Sequence, residues 1–342
     1  MATSGPSSIA TTHTQHADGY VDQWTFRALT YNVFLRSLNV FPDGQIERAG
    51  YIASVLHNKQ NFKDIDLFVF NELFDTACYD IISKTMTANG LCYRTDILGA
   101  KVLNSNLRLH ALLSKHRFVW CSGGVAIFSR HPIVSSTSHI FDGREVSTNS
   151  DALALKGFVY VKVEVDVGRQ HRKPVHVIGT HLQSGHELVA ANCRVLQAKR
   201  IQAYVHQLKI PATEAVIIAG DLNVDGQSLQ HEEWMTLTNA LNAAPVANYH
   251  EITFDPAANS LVGRDGDLTI PPCRLDHCLY SKLHLKPFPL LSFTEVIRPI
   301  IPNGESIAIG NNKMMRRDMK KMDTTDLSDH YPVLAQFSFP MQ

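Results

Sequence analysis

What this 342-residue chain lacks narrows it quickly. No stretch approaches the ~20 apolar residues that a membrane-spanning helix needs. Neither sign of charge is in excess, since Lys plus Arg equals Asp plus Glu at 32 each. The basic surplus usual in proteins that bind nucleic-acid phosphates is therefore missing. The six cysteines, Cys78, Cys92, Cys121, Cys193, Cys273 and Cys278, show no CxxC-type zinc spacing, and free buried thiols are expected. There is no internal repeat and no linker of shifted composition. One domain is expected over residues 24–342, behind a Ser/Thr/His-rich disordered tail at 1–23 that has no apolar signal core.

What is present is ample apolar material, 44% of the residues, arranged in alternating segments. WTFRALTYNVF, IDLFVF, GGVAIFS, GFVYVKVEVDV, PVHVIGTHL, AVIIAGDLNV, CRLDHCLYS and YPVLAQFSF read as strands. QIERAGYIASVLHNK reads as an amphipathic helix with Ile46, Ala49, Ile52, Ala53 and Leu56 on one side. CYDIISKTMTANG reads as a helix ending near Gly90, and LVAANCRVLQAKRIQAYVHQL as a long helix. Many strands separated by a few helices predict an α/β fold of two packed sheets covered by helices.

Five polar clusters stand at the ends of apolar runs: Tyr31-Asn32, Asn71-Glu72, Thr180-His181, Gly220-Asp221-Leu222-Asn223 and Ser328-Asp329-His330. A carboxylate, amide or imidazole at the tip of a buried strand is costly to desolvate unless something pairs with it. Glu72 alone reads as a capping or salt-bridged glutamate; with the other tips it reads as a ligand for a hard cation, held by few oxygen donors in the Mg²⁺ manner. Asn32 offers an amide oxygen to the same ion. Asp221 and Asn223, two apart on a strand, share a face, although GDLN also fits an Asx turn. His330 titrates near neutrality, as a general base should, and Asp276 is the carboxylate available to orient it. His181 is a second imidazole, able to donate to a developing oxyanion. His176 reads as structural.

Taken in order, these clusters resemble the endonuclease/exonuclease/phosphatase superfamily, over roughly residues 25–340. Finer segments resemble its neutral and bacterial sphingomyelinase branch: NELFD at 71–75, GGVAIFSRHPI at 123–133, DALALKGFVYVKV at 151–163, VHVIGTHLQ at 175–183, Arg194 and Gln197 on a helix, TFDPAANS at 253–260 and LSDHYPV at 327–333. The resemblance implies a DNase I-like four-layer α/β/β/α sandwich with two mainly antiparallel central sheets. It implies a Mg²⁺-dependent phosphodiesterase, with Mn²⁺ or Co²⁺ as substitutes, that cleaves sphingomyelin to ceramide and phosphocholine. In it Glu72 and Asn32 hold the ion, and Asp221 and Asn223 line the ion and the attacking water. His330 is the base oriented by Asp276, and Asp329 supports it beside the metal. His181 stabilises the transition state. Lys156, partnered by Asp151, sits by the substrate phosphate or controls access to it. A nuclease or another phosphoesterase of the same fold is the alternative, and a binding module with a dead site a third class.

Three departures from the branch shape the remaining expectations. Secreted bacterial members carry a disulfide from the segment before the KGF motif to the following helix. Here Cys193 matches one half and residues 141–156 hold no cysteine, so no such bond is expected. An acidic residue before GG, which serves an extra metal in some members, is replaced by Trp120, Cys121 and Ser122. Where some members insert an aromatic hairpin into membranes, this chain has Met314, Met315, Met319 and Met322 among Arg316, Arg317, Lys320 and Lys321. A contact of residues 312–322 with anionic lipid is the corresponding expectation. A monomer with no nucleic-acid partner is expected. The sequence does not give the compartment; with no signal core or spanning segment visible, a cytoplasmic, membrane-peripheral protein is expected, or a secreted one if a leader has been removed.

Overall fold

Period-two alternation on strands buried from both sides builds the molecule. The computed structural model describes residues 15–16, 19–20, 22–37, 44–58, 60–104, 121–146, 150–168, 171–227, 231–247, 249–262, 270–301, 306–309 and 322–341. Through these the chain runs β1 (Gln23–Leu35), α1 (Gln45–Asn58), β2 (Leu67–Leu73), α2 (Thr76–Ala88), β3 (Tyr93–Arg94), α3 (Ala100–Asn104), β4 (Ala126–Ser129), β5 (Ile133–Ile140) and β6 (Gly157–Asp166). It continues through β7 (Arg172–His181), α4 (Leu188–Gln207), β8 (Ala215–Asp221), α5 (Glu232–Leu241), β9 (Ala243–Pro245), β10 (Asp276–Ser281), β11 (Phe293–Val296), the hairpin β12 (Ile307–Ile309) with β13 (Met322–Thr324), and β14 (Val333–Pro340).

Two six-stranded sheets result, ordered β11-β14-β1-β2-β4-β3 and β9-β10-β8-β7-β6-β5. Both are antiparallel except for one parallel pair each, β1 with β2 and β7 with β8. A parallel pair needs a crossover. Helix α1 lies in one connection and α4 in the other.

Alternate residues of each strand serve two cores. Phe26 and Ala28 of β1, Val69 of β2, Val161 of β6, Val177 of β7 and Ile217 of β8 meet between the sheets. Their neighbours Leu29, Tyr31 and Phe70 pack beneath Ile52, Leu56 and Ile82 of α1 and α2. On the other side Tyr160, Ile178 and Ile218 pack beneath Ile201, Trp234 and Leu237 of α4 and α5. The order is helix, sheet, sheet, helix. Each such side chain contributes about 1.5–3 kcal/mol when fully buried.

Local differences from the sequence reading have physical causes. Ile46 is exposed while Gln45 and Arg48 are buried in its place. The Arg48 guanidinium donates to the carbonyls of Val33 (3.1 Å), Leu327 (3.0 Å) and Phe34, so burying it leaves it paired. Helix α2 is capped by Asp75, whose side chain accepts from the Ala77 and Cys78 amides, and Gly90 follows at φ 84°. Strand β5 was not foreseen: it is an edge strand, largely exposed, without an apolar run. Of the expected tail, Gln15–His16 pairs with Gly19–Tyr20, and Gln23 already belongs to β1. The basic, Met-rich residues 310–321 lie outside the described residues.

Candidate active site

The parallel pairs set the site. Asn32 and Asn71 are register partners at the ends of β1 and β2, and His181 and Asp221 at the ends of β7 and β8. Ligands of α/β sheets gather beyond such carboxyl ends. Asp221 is also the register partner of Asp276, which opens the antiparallel β10. Gly220 makes the last step possible, because a Cβ there would fall 1.8 Å from the Thr180 carbonyl oxygen. Phe34, Glu72 and Asn223 all adopt positive φ (49°, 54° and 54°), so the backbone is strained where the strands end.

Asn32 joins the two sheets. Its Nδ2 donates to Glu72 Oε1 (3.1 Å) and Asp221 Oδ2 (3.0 Å), while its Oδ1 accepts the Phe34 amide (3.1 Å). In this conformation it spaces two carboxylates rather than presenting an oxygen to a cation. Asp221 Oδ1 accepts the Asn223 amide at 3.0 Å, an Asx turn. The strand therefore stops at Asp221, and Asn223 donates its side-chain amide to the Leu182 carbonyl (3.1 Å).

His330 is buried with Nδ1 2.7 Å from Asp276 Oδ2 and Nε2 3.9 Å from Asp221 Oδ2. Burial opposes a charged ring, but Asp276 and then Asp221 outweigh it and hold His330 well above the ordinary histidine range. Contacts of 3.1, 3.0 and 3.9 Å in series link Glu72 to His330 through Asn32 and Asp221. The base and the acid expected at the ion thus share one centre.

Glu72 and Asp329 are half-buried. Burial, then the Asp329 charge, push the Glu72 carboxyl up to about 7. Burial likewise raises Asp329, partly offset by His330 and Arg36. Two oxygen-donor groups that resist carrying charge together fit a hard divalent cation. Asp221, Asp276 and His330 also bring ligand atoms within 4.8 Å of one another. There, however, the imidazole and the Asp276 carboxylate already pair with each other. The Glu72–Asp329 side is the better seat.

Lys156 is buried at 2% exposure, contrary to what a lysine entering a strand leads one to expect. Its Nζ lies 3.0 Å from Asp151 Oδ2 and donates to the Leu182 carbonyl at 2.7 Å. Burial works against the Asp151 carboxylate, yet Lys156, His181 and the Ser184 amide together bring it below the usual range. Burial and then the Lys156 ammonium push His181 down to about 4, so that ring is neutral at pH 7. Its Nε2 is 3.5 Å from Asp221 Oδ2 and its Nδ1 has no partner among the described residues. Arg194 Nη1 donates to the Gln183 and Gly185 carbonyls (both 2.8 Å) and Gln197 accepts the Gln183 amide (2.9 Å). Helix α4 thereby braces the loop beyond His181.

Several positioning residues had no assigned role in the sequence. Asn71 Nδ2 donates to the Thr180 carbonyl (2.9 Å), and its Oδ1 accepts from the Asp221 amide (3.1 Å) and Thr30 (3.2 Å). It pins one sheet to the other directly behind the site. Ser328 donates to the Asn32 carbonyl (2.6 Å), and Asn259 to that of Ser328 (2.9 Å). Asn71 and Ser328 stand in the polar clusters of the sequence and Asn259 in the TFDPAANS segment, but the sequence assigns none of them a role. His176 sits apart, between Tyr160 (2.8 Å) and Glu214 (2.6 Å), as a structural histidine does. All six cysteines are thiols; Cys193 donates to the Arg144 carbonyl at 3.6 Å.

The endonuclease/exonuclease/phosphatase family matches residues 29–330. The chain belongs to this family. Within it, the chain is 31% identical to a sphingomyelinase C of Bacillus cereus over 94% of its own length and 92% of the relative's. It is 29% identical to a phospholipase C of Staphylococcus aureus, covering 95% and 91%. Among solved structures, a mutant beta toxin from Staphylococcus aureus with bound magnesium ions superposes with a TM-score of 0.75 at 28% identity, covering 91% of this chain and 99% of that one. Sphingomyelinase C from Streptomyces griseocarneus gives 0.74 at 28% identity, covering 92% and 99%. The sandwich that carries the site is the fold these family members share.

Proposed function

We propose that this chain is a Mg²⁺-dependent phosphodiesterase of the phospholipase C type that hydrolyses sphingomyelin to ceramide and phosphocholine. The observation that carries the reading is the meeting of the His330–Asp276 pair with the Glu72–Asp329 carboxylates across Asp221. Near-full-length similarity to sphingomyelinases C supports the choice of substrate. Glu72 and Asp329 would hold the ion, with Asp221 and Asn223 lining it and Asn32 setting their spacing. Bound there, Mg²⁺ would offset the charge of the phosphodiester and stabilise the departing alkoxide.

The chain's own groups divide the remaining work. Asp276 takes the Nδ1–H of His330 and leaves Nε2 facing Asp221, where a water proton can be accepted. In the structure the surrounding carboxylates favour the protonated ring. A cation held at Glu72 would move it toward the base form. Neutral His181 donates one N–H toward the reacting phosphoryl oxygens, an interaction worth on the order of 10²–10³ in turnover. Lys156, fixed by Asp151, places its ammonium beside the same loop. The basic residues 312–322 would add a contact with anionic lipid, with the protein acting as a monomer.

The test is phosphocholine release from sphingomyelin vesicles with Mg²⁺, abolished by EDTA and by Glu72→Ala. No release from any choline phospholipid, together with nicking of plasmid DNA, would reject the reading in favour of a nuclease.

A further inference from the structure

Thr253 and Phe254 belong to no strand of either sheet, yet they touch both halves of the His330–Asp276 pair. Asp276 opens β10 in one sheet, and His330 stands three residues before β14 in the other. The Thr253 hydroxyl accepts the amides of Leu275 (2.9 Å) and Asp276 (3.2 Å), and the Thr253 carbonyl accepts the Tyr331 amide (2.7 Å). Phe254 gives its amide to the Cys273 carbonyl (3.0 Å) and accepts the Cys273 amide (2.9 Å). It is also a bridge partner of His330. The two residues strap the strand of the acid to the loop of the base.

The strap is held beyond Phe254 as well. Asp255 Oδ1 accepts the Ala257 and Ala258 amides (3.1 and 3.2 Å), which turns the chain, and Asn259 Nδ2 reaches the Ser328 carbonyl (2.9 Å). Thr253 is wholly buried, while Phe254 is half-buried.

The Phe254 ring centroid lies 5.1 Å from that of the His330 imidazole, with the planes at 59°. Tilted ring pairs at this separation attract. The hydrogen bond to Asp276 fixes one atom of the imidazole, Nδ1. The ring could still swing about that atom, since a torsion between a tetrahedral carbon and a flat ring is soft. A second ring packed against it narrows the swing, so Nε2 is aimed as well as present.

We propose that Phe254 is a positioning residue for the general base, its ring holding the His330 imidazole so that Nε2 stays toward Asp221. The proposal rests on the base assigned to His330 above and not on which phosphodiester is cleaved. Phe254 acts through His330, so its loss slows bound substrate without weakening binding.

The experiment measures kcat and KM on sphingomyelin vesicles with Mg²⁺ for the full chain, Phe254→Leu, Phe254→Met and Phe254→Tyr, with urea melts as a check on folding. Phe254→Leu and Phe254→Met keep an apolar side chain and lose the flat ring. Each should lower kcat by about 10–10²-fold, the cost of a misaimed group, with KM within about twofold. Phe254→Tyr keeps the ring, and the half-buried position has room for a hydroxyl; its kcat should return to within about threefold of wild type. In wild-type protein labelled at Phe and His, a nuclear Overhauser contact should join the Phe254 and His330 ring protons. Wild-type kcat in a folded Phe254→Leu or Phe254→Met variant overturns the proposal. So does a folded Phe254→Tyr variant as slow as Phe254→Leu, or the absence of the Overhauser contact. Wild-type activity in His330→Ala would instead reject the base, and the positioning role with it. If the wild type spares sphingomyelin and nicks plasmid DNA, the same order of rates is expected on plasmid, and any other order overturns the proposal.

Discussion

Asp276 and His277 are neighbours on β10, yet the imidazoles tied to these two positions behave in opposite ways. His330, held by Asp276, is buried with its pKa well above the usual histidine range; His277 is wholly buried and neutral. His277 donates from Nε2 to the Val224 carbonyl (2.9 Å) and accepts the Tyr249 hydroxyl at Nδ1 (2.6 Å). Both nitrogens are satisfied without charge, and burial, then Arg274, push it down to about 3. Burial depresses both histidines; the carboxylates beside one reverse the outcome. What a buried histidine does is decided by the charge of its partners.

Breaking the charged side of this comparison should have the largest effects. Glu72→Ala should lower phosphocholine release beyond about 10⁴-fold, past what loss of one acid–base residue costs, because it would remove the proposed cation ligand. Asp276→Asn should lower kcat on the order of 10²–10⁴ with the fold retained, and an NMR titration should show the His330 pKa falling. Asn71→Ala should cost about 1–3 kcal/mol in urea unfolding, because the Asp221 amide and the Thr180 carbonyl lose a buried partner.

The neutral side should touch activity least. His277→Phe should leave turnover within a few fold but change the pH dependence of stability. An unfolded histidine takes its proton near pH 6.5, the folded His277 only near about 3. The unfolded chain therefore binds more protons between these values. Stability is full above pH 6.5 and falls as the pH drops toward 3, by roughly 1.4 kcal/mol per unit. Urea melts across this window should show a slope flatter by that amount in the variant.

The sandwich was legible because apolar runs with period two mark strands buried on both faces, as in IDLFVF and AVIIAG. Edge strand β5, IVSSTSHI, carries no such mark because solvent covers it. The site was legible as polar tips on those runs. Less legible were the amides, which donate and accept alike. Asn32 was expected to offer oxygen and presents nitrogen; Asn71 was noticed and given no role, though it pins the sheets. Ile46 fits the apolar stripe of α1, but Arg48 takes the inward place because three carbonyls await it. Spacing alone does not report where the backbone of a distant strand will end.

The central claim is that strand tips from both sheets surround one divalent cation next to His330. An anomalous difference map from crystals soaked in Mn²⁺ tests it most directly. The account predicts a peak at coordination distance, about 2.1 Å, from the Glu72 carboxylate and facing Asp221. A peak seated between Asp276 and His330, with Glu72 uninvolved, would contradict it.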